Sequence, residues 1–192
     1  MLEFPYGAQR ITIADDPAYS AGSADKVHTY TQEYFFGDRR YTPFSRHGVR
    51  VSRDKNEIAC CILLAVGGGT VVHEHSAVVV ANHCVVAVSR YMVSLSLPRL
   101  DLEWAVEIDF AACLGVYHSA KHCSYVSHGE VDIARVSYEG EIIWRYTGGD
   151  IFTKGFALSD DCVEAIDWNN TRYRIAMESG QGTVVTSELK RK

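Results

Sequence analysis

NHCVVAVSR, residues 82–90, begins with turn-forming residues and continues as alternating small and apolar ones. Two later segments, KHCSYVSHG and DDCVEAIDW, resemble it, and the cysteines of the three segments are Cys84, Cys123 and Cys162. Both intervals are 39 residues (123 − 84 and 162 − 123). A strand-forming unit that returns about every 40 residues is typical of repeated β-meanders. The sequence therefore predicts a chain built from similar units.

The residues after each cysteine support the repeat. A strand, a turn and a second, alternating strand follow in each unit, and a strand containing tryptophan then follows in the first two. Trp104 and Trp144 are therefore predicted to be equivalent, buried residues on matching strands. HGVRVSR at 47–53 resembles HCVVAVSR at 83–90 and suggests a fourth, earlier unit.

No apolar pattern with helical periodicity is sustained over a dozen residues, whereas short runs of Val, Ile, Tyr and Leu alternate with turn residues. We predict one all-β domain over residues 1–192, with antiparallel, propeller-like meanders. Segment 1–42 lies outside the repeats, and about four repeats occupy 47–189. A β-sandwich and a cupin-like barrel are the alternatives.

The N-terminal segment has its own strand pattern. Tyr30, Tyr34 and Phe36 alternate within residues 19–42. This strand could complete a blade or cover an exposed sheet edge. About four blades are few for a closed ring, so a second copy could cover the edge instead, which would make a homodimer.

Two segments, SYEGEIIWRY at 137–146 and CVEAIDWNNTRYRIAMESGQ at 162–181, resemble blades of the β-propeller repeats related to the quinoprotein family, and more broadly WD-like repeats. They share a glycine turn before a strand ending in Trp, an apolar-Ala-Ile-Asp strand and a closing Ser-Gly turn. The resemblance is clear over 131–181 and weaker over 47–130. It implies a blade-like fold without quinone chemistry, because quinoprotein enzymes close many more blades and their cofactor residues have no match here.

Composition limits the possible partners. The hydrophobic and charged fractions, 47% and 22%, are ordinary for a globular chain, and the net charge of −5 argues against nucleic acid as a partner. No apolar run is long enough to span a membrane. Six cysteines, including the adjacent Cys60 and Cys61, are typical of buried thiols in a reducing compartment, which places the protein in the cytoplasm.

The strongest candidate for a metal site is GGGTVVHEH at 67–75. On a strand, His73 and His75 would share one face and offer two imidazoles to one metal. The spacing resembles the start of the first cupin motif, but valines 79 and 80 occupy the place of the expected Glu. The remaining histidines of this region, which could supply a third ligand, occupy turn positions that the repeat explains; they are His83, His118, His122 and His128.

Other chemical signatures are weak. Cys84 and Cys123 each follow a histidine, but adjacent strand residues point to opposite faces, which places the pairs poorly for proton transfer. The glycines 67–69 precede a strand rather than a helix N-terminus, so a loop is favoured over a phosphate cradle. Trp168, in a predicted hairpin turn, could pack between blades or form an exposed binding contact.

Two functions follow from these patterns. The first is a non-catalytic binding or interaction module that presents loops on a β-repeat scaffold to a protein or a small ligand. It needs neither a cofactor nor catalytic residues. The alternative is a metal-dependent, cupin-like enzyme that uses His73 and His75.

Overall fold

The computed structural model describes residues 1–20, 28–54 and 56–185, and these contain seventeen strands and no helix. No helix in this part of the chain is therefore long and apolar enough to cross a bilayer. The strands form four separate sheets. The strands of the first sheet are β1 (Leu2–Tyr6), β2 (Gln9–Asp15), β3 (Gln32–Phe36), β4 (Ser45–Arg53) and β5 (Asn56–Ala65).

The other three sheets are four-stranded antiparallel meanders whose strands pair in chain order. The second contains β6 (Ala77–Val80), β7 (His83–Val88), β8 (Tyr91–Ser96) and β9 (Leu102–Glu107). The third contains β10 (Cys113–Ser119), β11 (Ser124–Gly129), β12 (Asp132–Ser137) and β13 (Ile142–Thr147). The fourth contains β14 (Gly155–Leu158), β15 (Cys162–Ile166), β16 (Arg172–Ala176) and β17 (Gly182–Val184). The prediction of an all-β, propeller-like repeated fold is confirmed.

A β-bulge shows how the first three sheets superpose. It lies between the third and fourth strands of the second and third sheets, and between β4 and β5 of the first. The pairs adjoining the bulge are Val51–Ala59, Ser94–Trp104 and Arg135–Trp144. Strands β1, β2, β4 and β5 therefore match the four strands of each later sheet.

Residues 1–42, which the sequence set apart from the repeats, supply three strands of the first sheet. The β1–β2 hairpin turns at Gly7, whose φ is +57°, and Pro5 is accommodated because β1 is an edge strand. Strand β3 pairs in parallel with β5 and covers its outer edge. This is one of the two roles expected for the alternating aromatic strand.

The cysteine spacing did not mark equivalent residues. By strand pairing, Cys84 corresponds to Tyr125 and Val163, so the true intervals are 41 and 38 residues (125 − 84 and 163 − 125). Cys123 lies in the preceding turn with φ of +46°, and Cys162 precedes its sheet's equivalent position by one residue. The resemblance of HGVRVSR to HCVVAVSR does not mark equivalent strands either. The first segment lies in β4, which matches the third strand of a later sheet, whereas the second lies in β7, the second strand of its sheet.

Successive sheets stack face to face through apolar cores. In the second sheet the face toward the third carries Val85, Met92 and Trp104. The third sheet places Val126, Ile133 and Trp144 at the equivalent positions, against the fourth. Because neither sheet could bury both faces alone, this stacking provides most of the hydrophobic burial. Trp144 is buried as predicted, whereas Trp104 is only half-buried.

The fourth sheet ends this series with polar residues. Its residues at those three positions are Glu164, Arg172 and Thr183, and all three are exposed. A terminal repeat with a polar outer face is the usual way to end a stacked array. The free face of this sheet is therefore adapted to water.

The first sheet is polar at the opposite end. The free face of the first sheet carries Arg10, Thr12, Arg50 and Ser52. At the equivalent positions the second sheet carries apolar core residues, which are, in the same order, Cys84, Val86, Val93 and Leu95. Tyr19 and Tyr30 cover the remaining apolar part of the free face, at Ile62 and Leu64. Among the residues described, no core cluster or hydrogen bond joins the first sheet to the fourth, so the four sheets form an open array.

Candidate functional site

The segments that connect one sheet to the next meet at one end of the array. They are residues 66–76, which we call the histidine loop, 108–112 and 148–154. A groove of about 340 Å³ opens where the histidine loop meets the third and fourth sheets. The residues that line it are His73, His75, Leu114, Tyr117, His128, Thr153, Lys154, Gly155 and Phe156.

One wall of the groove is a column of four rings, in which Tyr117, Phe156 and His128 are stacked and His75 is tilted against Tyr117. The ring centroids of His75 and Tyr117 are 5.0 Å apart, those of Tyr117 and Phe156 4.5 Å, and those of Phe156 and His128 4.6 Å. The rings come from the histidine loop, β10, β14 and β11, so the column joins four elements of structure. Stacking of this kind holds large side chains in fixed positions.

The pKa values of His128 and Tyr117 are both shifted toward the neutral form. Burial lowers the pKa of His128 to about 4, with smaller contributions from the neighbouring His75 and His73. His128 Nε2 donates to the Phe152 carbonyl at 3.0 Å, which leaves Nδ1 as an acceptor. Burial raises the pKa of Tyr117 to about 12, so its hydroxyl keeps its proton.

A lysine lies at the rim. Lys154 Nζ donates to Asn170 Oδ1 at 3.0 Å and lies 5.2 Å from the centre of the Trp168 ring. The Trp168 side chain is 60% exposed. It therefore does not pack between blades, and of the two roles considered for it the exposed contact remains. Among the described residues, no carboxylate forms an ion pair with Lys154, and the groove lining contains neither Asp nor Glu.

The predicted histidine pair lies at this groove, but not on a strand. The sequence pattern placed His73 and His75 on a strand, whereas both occupy an irregular turn and are exposed. The His75 backbone N–H donates to His73 Nδ1 at 3.3 Å, and the ring centroids are 6.2 Å apart. The shared strand face inferred from the sequence is therefore wrong.

Of the four histidines considered as a possible third ligand, only His128 joins the pair at the groove. The remaining three have partners elsewhere: His83 with Glu103 at 2.6 Å, His118 with the Tyr138 hydroxyl at 2.8 Å, and His122 with the Asp160 carbonyl at 2.7 Å. Within residues 1–20, 28–54 and 56–185, no group of three or more His, Cys, Asp or Glu side chains has a geometry that could hold a metal. That His73 and His75 hold no catalytic metal stays a prediction, which metal analysis of the purified protein would test.

A buried polar network fastens the histidine loop. His47, which is fully buried, has Nδ1 2.9 Å from Asp15 Oδ1 and Nε2 3.2 Å from Thr70 Oγ1. Thr70 Oγ1 also accepts the Ser89 backbone N–H at 2.9 Å, and Asp15 Oδ2 accepts that of Val72 at 2.9 Å. Although this order of carboxylate, imidazole and hydroxyl resembles a catalytic triad, the hydroxyl is engaged by backbone and the imidazole is sealed from solvent. Its role is to hold the loop.

The glycine run serves close packing. Gly67 has φ of +127°, in the left-handed region that favours glycine. Gly68 donates its N–H to the Ala111 carbonyl at 3.1 Å, and a Cβ on Gly68 would lie 2.6 Å from that same oxygen. The run therefore brings the histidine loop against segment 108–112, as a structural loop rather than a phosphate cradle.

Three large apolar side chains are exposed on the loops at this end. They are Phe44, Val71 and Phe110, which we call the end patch, and they are 75%, 69% and 77% exposed. Phe44 precedes β4, Val71 lies in the histidine loop, and Phe110 lies in the loop that Gly68 contacts. The three loops adjoin, because a Cβ at residue 69 would lie 3.9 Å from Phe44 Cβ and Gly68 donates to the Ala111 carbonyl.

No family model matches this chain, and no curated protein is significantly similar to it. Solved structures do match. BamB from Moraxella catarrhalis is 12% identical, with a TM-score of 0.57, over 96% of this chain and 60% of that one. The computationally designed Ika8 protein is 12% identical, with a TM-score of 0.53, over 79% of this chain and 46% of that one.

The WD40 domain of Neurospora crassa Pan2 also aligns, at 13% identity and a TM-score of 0.45, over 60% of this chain and 40% of that one. The chain thus spans only 40% to 60% of the length of these three structures. At such identities the likeness shows the fold alone, and that fold is a propeller-type repeat.

Proposed function

We propose that this chain is a non-catalytic binding module, and that its binding surface is the end of the array that carries the groove and the end patch. The observation that carries the proposal is the end patch. Phe44, Val71 and Phe110 come from three separate loops and remain exposed beside a preformed aromatic groove. Exposed apolar side chains on loops held by a rigid scaffold are typical of interaction sites.

The partner we infer is a protein or a small ligand. A net charge of −5 and an apolar patch do not suit nucleic acid, because binding to its phosphates needs a basic surface.

A cytoplasmic location remains our inference. All six cysteines are free, and burial raises the pKa of the Cys84 and Cys113 thiols to about 12. Such thiols pack as small apolar side chains and are poor nucleophiles.

A paired-variant capture experiment tests the proposal. Tagged protein would be used to recover binding partners from a lysate, and these would be quantified by mass spectrometry. The test variant carries Phe44→Ser and Phe110→Ser. The matched control carries Ile58→Ser and Ile143→Ser, because these side chains are 44% and 46% exposed but lie in strands β5 and β13 rather than in the loops of the end patch.

We expect a partner that the native chain and the control variant recover equally and the end-patch variant loses. Circular dichroism would establish that both variants are folded. Partners recovered equally by all three proteins would show that the end patch does not bind them, and the proposed surface would then be wrong.

A further inference from the structure

We propose that the groove binds a carboxylate attached to an aromatic group, with the carboxylate paired to Lys154 Nζ and the aromatic group packed against the ring column beside Trp168. The inference rests on the proposed function, since it names the ligand chemistry of the same end of the array. Two sources share this chemistry: a free arylalkyl acid, and neighbouring acidic and aromatic side chains of a partner protein.

The charge of the groove favours a ligand with a carboxylate. The groove lining carries one lysine and three histidines and no carboxylate; Glu74, outside the lining, pairs with His75 at 3.4 Å. Lys121 is paired with Asp161 at 2.8 Å, whereas the partners of Lys154 in the described part of the chain are the neutral amide oxygen of Asn170 and the ring of Trp168. An ammonium group held in place without a counter-ion can form a charge-assisted hydrogen bond with a ligand carboxylate.

The ring column favours a ligand that also carries an aromatic ring. Tyr117 and Phe156 are half-buried, and their rings are already stacked between His75 and His128. A ligand ring that packs beside them therefore meets side chains whose rotamers are fixed before binding, which lowers the entropic cost of association. The groove, at about 340 Å³, is at the small end of the range for ligand sites and matches one ring with a short acidic arm.

His128, which also lines the groove, gives a carboxylate no hydrogen bond. Its Nε2 proton is committed to the Phe152 carbonyl, so Nδ1 can only accept. The acid therefore pairs with Lys154 at the rim.

Titration of the ¹⁵N-labelled full chain with two matched probes tests the inference. The first probe is 3-phenylpropionate, and the second is 3-phenylpropanamide, which has the same shape without the charge. We expect 3-phenylpropionate to shift the amide resonances of His128, Lys154 and Phe156, and the amide probe to bind at least ~10-fold more weakly, as the loss of a charged hydrogen bond predicts.

Lys154→Met should weaken the binding of 3-phenylpropionate by ~10-fold. Lys121→Met is the matched control, because it removes a lysine that is already paired elsewhere, and it should leave binding unchanged. Equal binding of the acid by both variants, or equal binding of the two probes, would overturn the inference.

A third probe, the acetylated and amidated tetrapeptide Gly-Asp-Phe-Gly, distinguishes the two sources. Tighter binding of the peptide than of 3-phenylpropionate assigns the site to a partner segment, and the reverse order assigns it to a free acid. If the end-patch variant loses its partner while none of the probes shifts the groove resonances, the proposed function stands and this inference fails.

Discussion

The indole of Trp144 lies so close to the backbone of Gly180 that a Cβ at residue 180 would come within 2.6 Å of Trp144 Cγ. The same indole donates its Nε1 proton to the Met177 carbonyl at 2.8 Å. One sheet earlier, Trp104 lies against Gly140 and donates to a carbonyl at the equivalent turn, also at 2.8 Å. The fourth strand of one sheet is thus docked into the turn that follows the third strand of the next.

At the first interface a tyrosine takes this place. The residue of β5 equivalent to the tryptophans is Ala59, which is too small to reach the second sheet. Tyr34 of the added strand β3 reaches it instead: its hydroxyl donates to the Leu100 carbonyl at 3.0 Å and accepts the Leu102 N–H at 3.1 Å. The extra parallel strand therefore supplies the contact that tryptophan makes elsewhere.

Gly180→Ala should destabilise the protein more than Gly7→Ala. Both glycines have positive φ, +71° and +57°, so both substitutions incur a backbone penalty of roughly 1 kcal/mol. Only at Gly180 does the new methyl group meet an indole, which adds about 1–3 kcal/mol, because Gly7 has open space around it. Urea unfolding of the two variants measures the difference, and equal midpoints would show that the tryptophan contact is loose.

Trp144→Ala should lower the free energy of unfolding by about 3–5 kcal/mol, because a buried aromatic side chain and its hydrogen bond are lost. Trp104→Ala should cost less, since Trp104 is only half-buried. Thermal unfolding of both variants compares them. A larger loss for Trp104→Ala would contradict the packing described here.

The sequence predicted the strands and the equivalence of the two tryptophans, because those signals are local. Alternating residues such as HCVVAVSR predicted the strands, and two tryptophans at similar places in successive units indicated equivalent sheets. The exact register failed because turns differ in length: Cys123 lies in a turn, whereas Cys84 lies in a strand. The β1–β2 hairpin was missed because Pro5 and the short strand leave a weak alternating pattern.

The groove could be predicted only in part. His73 and His75 stood out because they are close in sequence. Tyr117 and Phe156, by contrast, belong to different repeats, and only the stacking of the third sheet on the fourth brings their rings together. Lys154 carried no sequence signal, because its lack of a carboxylate partner is a property of the folded surface.

Stability should fall as the pH is lowered from about 6.5 to 4, in part because of His128. Burial lowers the pKa of His128 to about 4 in the folded chain, so the unfolded chain, with an ordinary histidine pKa, binds the proton first. The contribution is fully present above pH 6.5 and is lost as the pH falls toward 4, by up to about 3 kcal/mol.

Urea unfolding of His128→Phe at several pH values measures this contribution. The phenyl ring keeps the stacking on Phe156 and removes the titration, so the variant should lose less stability than the native chain between pH 6.5 and 4. His122→Phe is the control, because His122 bonds to the Asp160 carbonyl at 2.7 Å, outside the ring column. Identical pH profiles for the native chain and His128→Phe would show that the fold does not lower the pKa of His128.

Thr70→Val should destabilise the fold by about 1–3 kcal/mol, because it leaves the buried Ser89 N–H without its acceptor and removes a hydrogen-bond partner of His47. It should also weaken ligand binding at the groove, since the histidine loop is fastened there. Thr153→Val, at an exposed position of the groove lining, is the matched control for stability. Hydrogen exchange in residues 66–76 that is unchanged in Thr70→Val would contradict the fastening role.

We predict that the polar faces at both ends of the array stay in contact with water, and light scattering after size-exclusion chromatography tests this directly. A homodimer was one way to cover the open edge, but Glu164, Arg172 and Thr183 favour a face that is not buried against a second copy. The native protein should therefore be a monomer of 21.4 kDa even at high concentration. The variant with Glu164→Val, Arg172→Ile and Thr183→Trp, which copies the apolar face of the third sheet, should self-associate. A stable dimer of the native chain, or a triple variant that remains monomeric, would show that the face is not a cap.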